Sequence, residues 1–108
     1  MLPSSGDRSR TPAYDLEEVQ RLVGQGPISS RITMAAIQGA ADVGMRESDI
    51  VAAVLALDSR CFYKSMEAEK QPGMWQDVYH LAWGKVDLYL KLQIDHAGLA
   101  VVVQCKEK

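Results

Sequence analysis

Between Val86 and Asp95 the chain alternates at every position. Val86, Leu88, Leu90, Leu92 and Ile94 hold the even places, and Asp87, Tyr89, Lys91, Gln93 and Asp95 hold the odd ones. A period of two is the mark of a strand with one dry face and one wet face, and no helix can sort these residues onto two sides. A second run, Leu99 to Lys106, follows a short turn with Leu99, Val101, Val103 and Cys105 on its apolar parity. With Ala97-Gly98 as a two-residue hairpin turn, residues whose numbers add to 195 lie opposite each other. Ile94 then faces Val101, Leu92 faces Val103 and Leu90 faces Cys105, all apolar. On the wet face Tyr89 falls opposite Lys106.

The run before it, Met74 to Trp83, joins through Gly84-Lys85, a Gly-X pair suited to a type II′ turn. Numbers adding to 169 then pair, and Gln76, Val78 and His80 share the Tyr89 face. Trp75 and Trp83 take the Leu-rich parity and are expected in the core. Lys64 sits in the stretch FYKSM (Phe62 to Met66). Its parity partners Phe62 and Met66 read as buried, so Lys64 is expected near a strand end.

Before residue 59 the apolar period is that of helices. Asp15 followed by Glu18 resembles a capping box, and Leu16, Val19, Leu22 and Val23 mark one face up to Gly24. Gly26-Pro27 breaks the chain before a short extended piece at Ile28. Ser30 is read as the cap of a second helix through Ala41, burying Ile32, Ala35, Ala36 and Ala40. Glu47 or Ser48 opens a third, burying Val51, Val54 and Leu55. Helices first and strands after predict an α+β fold, with N-terminal helices on one face of an antiparallel sheet.

A chain of 108 residues, 47% hydrophobic and 24% charged, fits one small domain. Residues 1–13, rich in Ser, Pro, Gly and Arg, are expected to form a flexible tail, leaving 14–108 as the domain. The longest apolar run, Ile50 to Leu57, is too short to span a membrane. With no apolar leader, and with Cys61 and Cys105 far apart, a reduced cytoplasmic protein is expected, both thiols packing as small hydrophobes. Net charge is −2, against binding nucleic acid through bulk charge. It is uneven, however: residues 1–59 carry −3 and residues 60–108 carry +1.

Candidates for chemistry lie on FYKSM, WQDVY (Trp75 to Tyr79), LYLK (Leu88 to Lys91) and the terminal CKEK. His80 and His96 are isolated, and neither a metal site nor a cofactor is expected. Lys, Tyr and Gln on one sheet face suit RNA cleavage by its own 2′-OH. That reaction needs a proton acceptor, a proton donor for the leaving 5′ oxygen and cations around the phosphorane. Lysines supply charge, a Tyr with lowered pKa or a Lys can shuttle a proton, and Gln can fix phosphate or sugar. By spacing alone, ordinary solvent-facing strand residues are the plainer reading.

FYKSM, WQDVY, LYLK and the terminal KEK, in this order and at these separations, resemble the MqsR (motility quorum-sensing regulator) toxin family. The likeness reaches Arg10-Thr11-Pro12 and Val19, Leu22 and Val23, although residues 13–59 match in pattern more than identity. It implies a RelE-like fold and a type II toxin that cleaves mRNA independently of the ribosome, favouring GCU sites. It implies too a cognate MqsA-like antitoxin with zinc-binding and helix-turn-helix domains, through which promoter DNA is touched only indirectly. The family's functional residues fall on Lys64, Gln76, Tyr89 and Lys106; Tyr63, Met66, His80 and Lys91 are expected as further RNA contacts. His80 and Ala82 stand where the family often has Arg, and the final hairpin is two residues longer. The alternatives are a non-catalytic RNA-binding or regulatory module and a protein-interaction domain on the same fold.

Overall fold

The computed structural model describes residues 8–108. Strands β1 (Arg8–Ser9), β2 (Ser30–Ile32), β3 (Phe62–Glu67), β4 (Trp75–Trp83), β5 (Val86–Ile94) and β6 (Ala100–Glu107) form one sheet, in the order β1-β3-β4-β5-β6-β2. Helices α1 (Leu16–Gly24), α2 (Met34–Ala41) and α3 (Glu47–Ala56) come before the main strands, as an α+β chain requires. Leu88, Leu90 and Leu92 of β5, with Ala100, Val102 and Cys105 of β6, share one core with Val19, Val23, Ala36, Ala40, Ile50 and Val54 of the helices. The period-two and period-3.6 stripes bury each other, leaving the opposite sheet face open.

The sheet is mixed rather than antiparallel throughout, because β2 pairs parallel with the far edge of β6. This corrects the reading of Ser30 as a helix cap. Thr33 is the cap instead, its hydroxyl accepting from the Ala36 N–H at 3.1 Å. Ser30 to Ile32 are drawn into strand pairing, Ile32 stays half-buried and Ala35 is exposed. In α3 the buried residues are Ile50, Ala53 and Val54, while Leu55 is 48% exposed and Val51 half-buried. The helix is rotated by roughly a residue from its expected face. At α1 the expected residues Val19, Leu22 and Val23 are buried. Asp15 accepts from Glu17 N–H, and Glu18 pairs with Arg21 rather than closing a capping box.

Of the expected tail, residues 1–7 lie outside the described residues. Arg8–Ser9 pair with Met66 and Ser65, and the Ala13 and Tyr14 N–H groups donate to the Asp77 carboxylate at 2.9 and 3.0 Å. The Tyr14 hydroxyl donates to the Trp75 carbonyl at 2.7 Å. The chain from residue 8 onward is thus strapped to β3 and β4 instead of starting at residue 14.

The β4–β5 hairpin has the expected register from Trp83↔Val86 to Asp77↔Leu92. Gly84 has φ 60°, as the first central residue of a type II′ turn demands, and among the described residues no non-Gly residue has positive φ. The β5–β6 hairpin departs near its tip. Ile94 faces Ala100, Gln93 faces Val101 and Leu92 faces Val102; after a bulge, Lys91 faces Gln104, Leu90 faces Cys105 and Tyr89 faces Lys106. The tip is the five-residue loop 95–99, in which the Asp95 carboxylate accepts from the Ala97 and Leu99 N–H groups. That loop costs one residue of register and the bulge at Val103 restores it. Upstream of the bulge the core parity is therefore Ala100 and Val102, not Val101 and Val103. The Val103 carbonyl freed by the bulge accepts from the Thr33 hydroxyl at 2.7 Å, so the cap of α2 also pins β6.

Candidate active site

A second bulge resolves the position of Lys64. Phe62 faces Tyr79, but Lys64 faces Val78, so one extra residue, Tyr63, has entered β3. Phe62 packs toward the helices, edge-on to Tyr79 at 5.6 Å, while Lys64 and Met66 turn to the open face. Lys64 is thus mid-strand, not at an end, and Met66 lies opposite Gln76. A strict alternation of parity cannot anticipate this, because a bulge resets it.

The four residues expected to carry chemistry come together on the open face, in three cross-strand rows. In the first, Lys106 faces Tyr89 and Tyr89 faces His80. His80 stacks on Tyr63 with ring centroids 4.3 Å apart and planes 24° from parallel, and its ring is 6.1 Å from that of Tyr89. In the second row Lys64, Val78, Lys91 and Gln104 are successive partners. In the third, Gln76 donates a side-chain N–H to the Gln93 carbonyl at 2.8 Å. Three ammonium groups approach the tyrosine rings: Lys106 and Lys91 lie 5.2 and 5.8 Å from the Tyr89 centroid, and Lys64 lies 5.5 Å from that of Tyr63. Beside them runs an open groove of about 610 Å³, lined by Met66, Gln76, Lys91, Val103 and Gln104.

Burial, then the neighbouring Tyr63, raises the Tyr89 phenol above its ordinary value. A tyrosine with lowered pKa is therefore not available here, and Tyr89 stays a proton-bearing donor at neutral pH. Burial, then Lys106 and Lys64, lowers the Lys91 ammonium, with Glu69 opposing, so its amine form is easier to reach. The His80 imidazole is lowered by burial and by Lys108 and Lys64, against Asp87, and is neutral at pH 7. Among the described residues no three His, Cys, Asp or Glu side chains converge as metal ligands.

Gln93 and Gln104 were missed by the sequence reading. The β4–β5 register rule that found His80 also sets Gln93 opposite Gln76, so the signal for Gln93 was present. The signal for Gln104 was present too, because the sum of 195 that pairs Tyr89 with Lys106 sets it opposite Lys91. Asp77, the middle residue of WQDVY, was passed over too; it is 1% exposed and its carboxylate anchors the N-terminal segment.

Residues 11–107 match the family model described as motility quorum-sensing regulator, toxin of MqsA. The chain is 33% identical over 99 residues, 92% of its own length and 97% of the relative's, to the mRNA interferase toxin MqsR of Escherichia coli (strain K12).

Proposed function

This chain belongs to the motility quorum-sensing regulator toxin family, and from that premise we propose that it is a toxin of a type II toxin–antitoxin system and cuts mRNA. The observation that carries the reading is the open sheet face, where Lys91 and Lys106 flank Tyr89, Lys64 lies over the neighbouring Tyr63, and Gln76 shares the same face. The 2′-OH attacks the adjacent phosphorus, and one proton must leave the 2′ oxygen while another reaches the leaving 5′ oxygen. Tyr89, holding its proton firmly, is the donor to the leaving oxygen. Lys91, with its lowered ammonium pKa, is the acceptor in its amine form. Lys64 and Lys106 stabilise the charge that builds on the phosphorane, and Gln76 orients the substrate beside them. Tyr63, Met66 and His80 contact the RNA beside the cut, which falls in GCU-type sites without the ribosome.

The partner is an MqsA-like antitoxin carrying zinc-binding and helix-turn-helix domains, met in the cytoplasm, and promoter DNA is reached only through it. No step calls on a metal, so cleavage of a defined RNA should persist in excess EDTA. The products should be 2′,3′-cyclic phosphate and 5′-hydroxyl ends, identified by mass spectrometry. Strict Mg²⁺ dependence or 5′-phosphate ends would refute the 2′-OH scheme.

A further inference from the structure

The groove has more in its lining than a phosphate site needs: beside the Lys70 and Lys91 cations and the Glu69 carboxylate it holds amides and apolar surface. Phosphate oxygens only accept hydrogen bonds, so a phosphate site is built from donors. Here Gln76 and Gln104 present amides, with Gln71 from the β3–β4 connection, over the apolar surface of Met66 and Val103. Gln76 is held in one orientation: Gln93, only 6% exposed, accepts one of its N–H groups at 2.8 Å. Among the described residues no donor reaches the Gln76 carbonyl oxygen, and no partner engages the Gln104 amide. A phosphate cannot satisfy an amide carbonyl, whereas the edge of a nucleobase carries both donors and acceptors. The bulge that sets Val103 and Gln104 side by side on this groove is itself pinned by Thr33, so the lining is fixed by the scaffold.

We infer that this groove is a nucleobase subsite. One base next to the cut lies over Met66 and Val103 with its hydrogen-bonding edge on Gln76 and Gln104, and Gln93 is a positioning residue that acts through Gln76. Single-stranded RNA is read in this way, by unstacked bases bound on their edges. The inference rests on the reading of this face as an RNA-cutting site and adds what selects the cut.

The experiment is cleavage of short RNAs randomised around one cut, with the ends sequenced to give relative kcat/KM for each base at each position. Gln104→Ala and Gln93→Met should both flatten the preference at the same single position, by about tenfold, leaving the other positions as in the unaltered protein. A Gln93 that served folding alone would lower the melting temperature without moving that preference. Gln104 is half-buried with a free amide, so its variant tests the subsite even should Gln93→Met fail to fold. Unchanged preference at every position in Gln104→Ala, or an equal loss for all sequences, would overturn the subsite while the cutting site stands. An unaltered protein that cuts none of these RNAs would overturn the active-site reading, and this inference with it.

Discussion

Lys64 illustrates what one side chain is asked to do. Its ammonium lies 5.5 Å from the Tyr63 ring, on the face shared by Tyr89 and Lys106. A cation that serves charge present only in the transition state should affect turnover far more than binding. Lys64→Ala should therefore lower kcat about a hundredfold or more with KM little changed and the circular dichroism spectrum intact. Near-full activity in the folded variant would remove Lys64 from the site. His80 makes a different demand. Its folded pKa lies below the ordinary 6.5, so the ring gains charge only as pH falls through and beneath that value. RNA favours the charged ring, so affinity rises as pH drops from 7.5 to 5.5, by roughly three- to tenfold from this group. The measurement is the Kd for an RNA with a 2′-deoxy cut site at constant ionic strength. His80→Gln should flatten the profile, and a slope unchanged in that variant would exclude His80.

The pair of α2 and β6 is where the fold and the site meet. A Cβ built on Gly39 would lie 2.5 Å from the Cys105 carbonyl oxygen and 3.0 Å from the Cβ of Lys106. The first of these atoms is backbone, so only glycine lets the helix approach this closely. Gly39→Ala forces helix and strand apart, and overpacking of this kind costs about 1–3 kcal/mol. The urea midpoint should fall accordingly. Cleavage should fall too, because the displaced strand carries Lys106, and a variant with wild-type stability would show that α2 adjusts freely. Thr33 works at the same junction: one hydroxyl caps α2 and holds the β6 bulge that returns Tyr89 and Lys106 to register.

At the scale of the whole molecule, the N-terminal segment closes the sheet far from it in sequence. Asp77, buried near the start of β4, accepts from the backbone of Ala13 and Tyr14 across 64 and 63 residues. Hydrogen bonds to a charged group contribute about 1.5–3 kcal/mol each, and their loss leaves two N–H groups without a partner. Asp77→Ala should cost about 3 kcal/mol by chemical denaturation. Protease should cut faster between residues 8 and 15. A stability loss below about 0.5 kcal/mol, the usual range for surface changes, would mean that the segment is not held by this carboxylate.

The sequence by itself determined the α+β order, the α1 face, the β4–β5 register and the meeting of Gln76, Tyr89 and Lys106 on one wet face. Each follows from local periodicity and from a turn whose chemistry lies within it. Only the tertiary structure decided the rest. Ser30 to Ile32 left the helix pattern because β6 offered backbone partners, an exchange local propensity does not contain. The Tyr89–Lys106 pairing was legible although the loop 95–99 differs from the two-residue turn, because the bulge at Val103 cancels the shift. Lys64 and Val103 reached the open face through bulges in β3 and β6. A bulge resets the alternation of side chains without changing composition, and what holds the one in β6 is Thr33, 70 residues away in the chain.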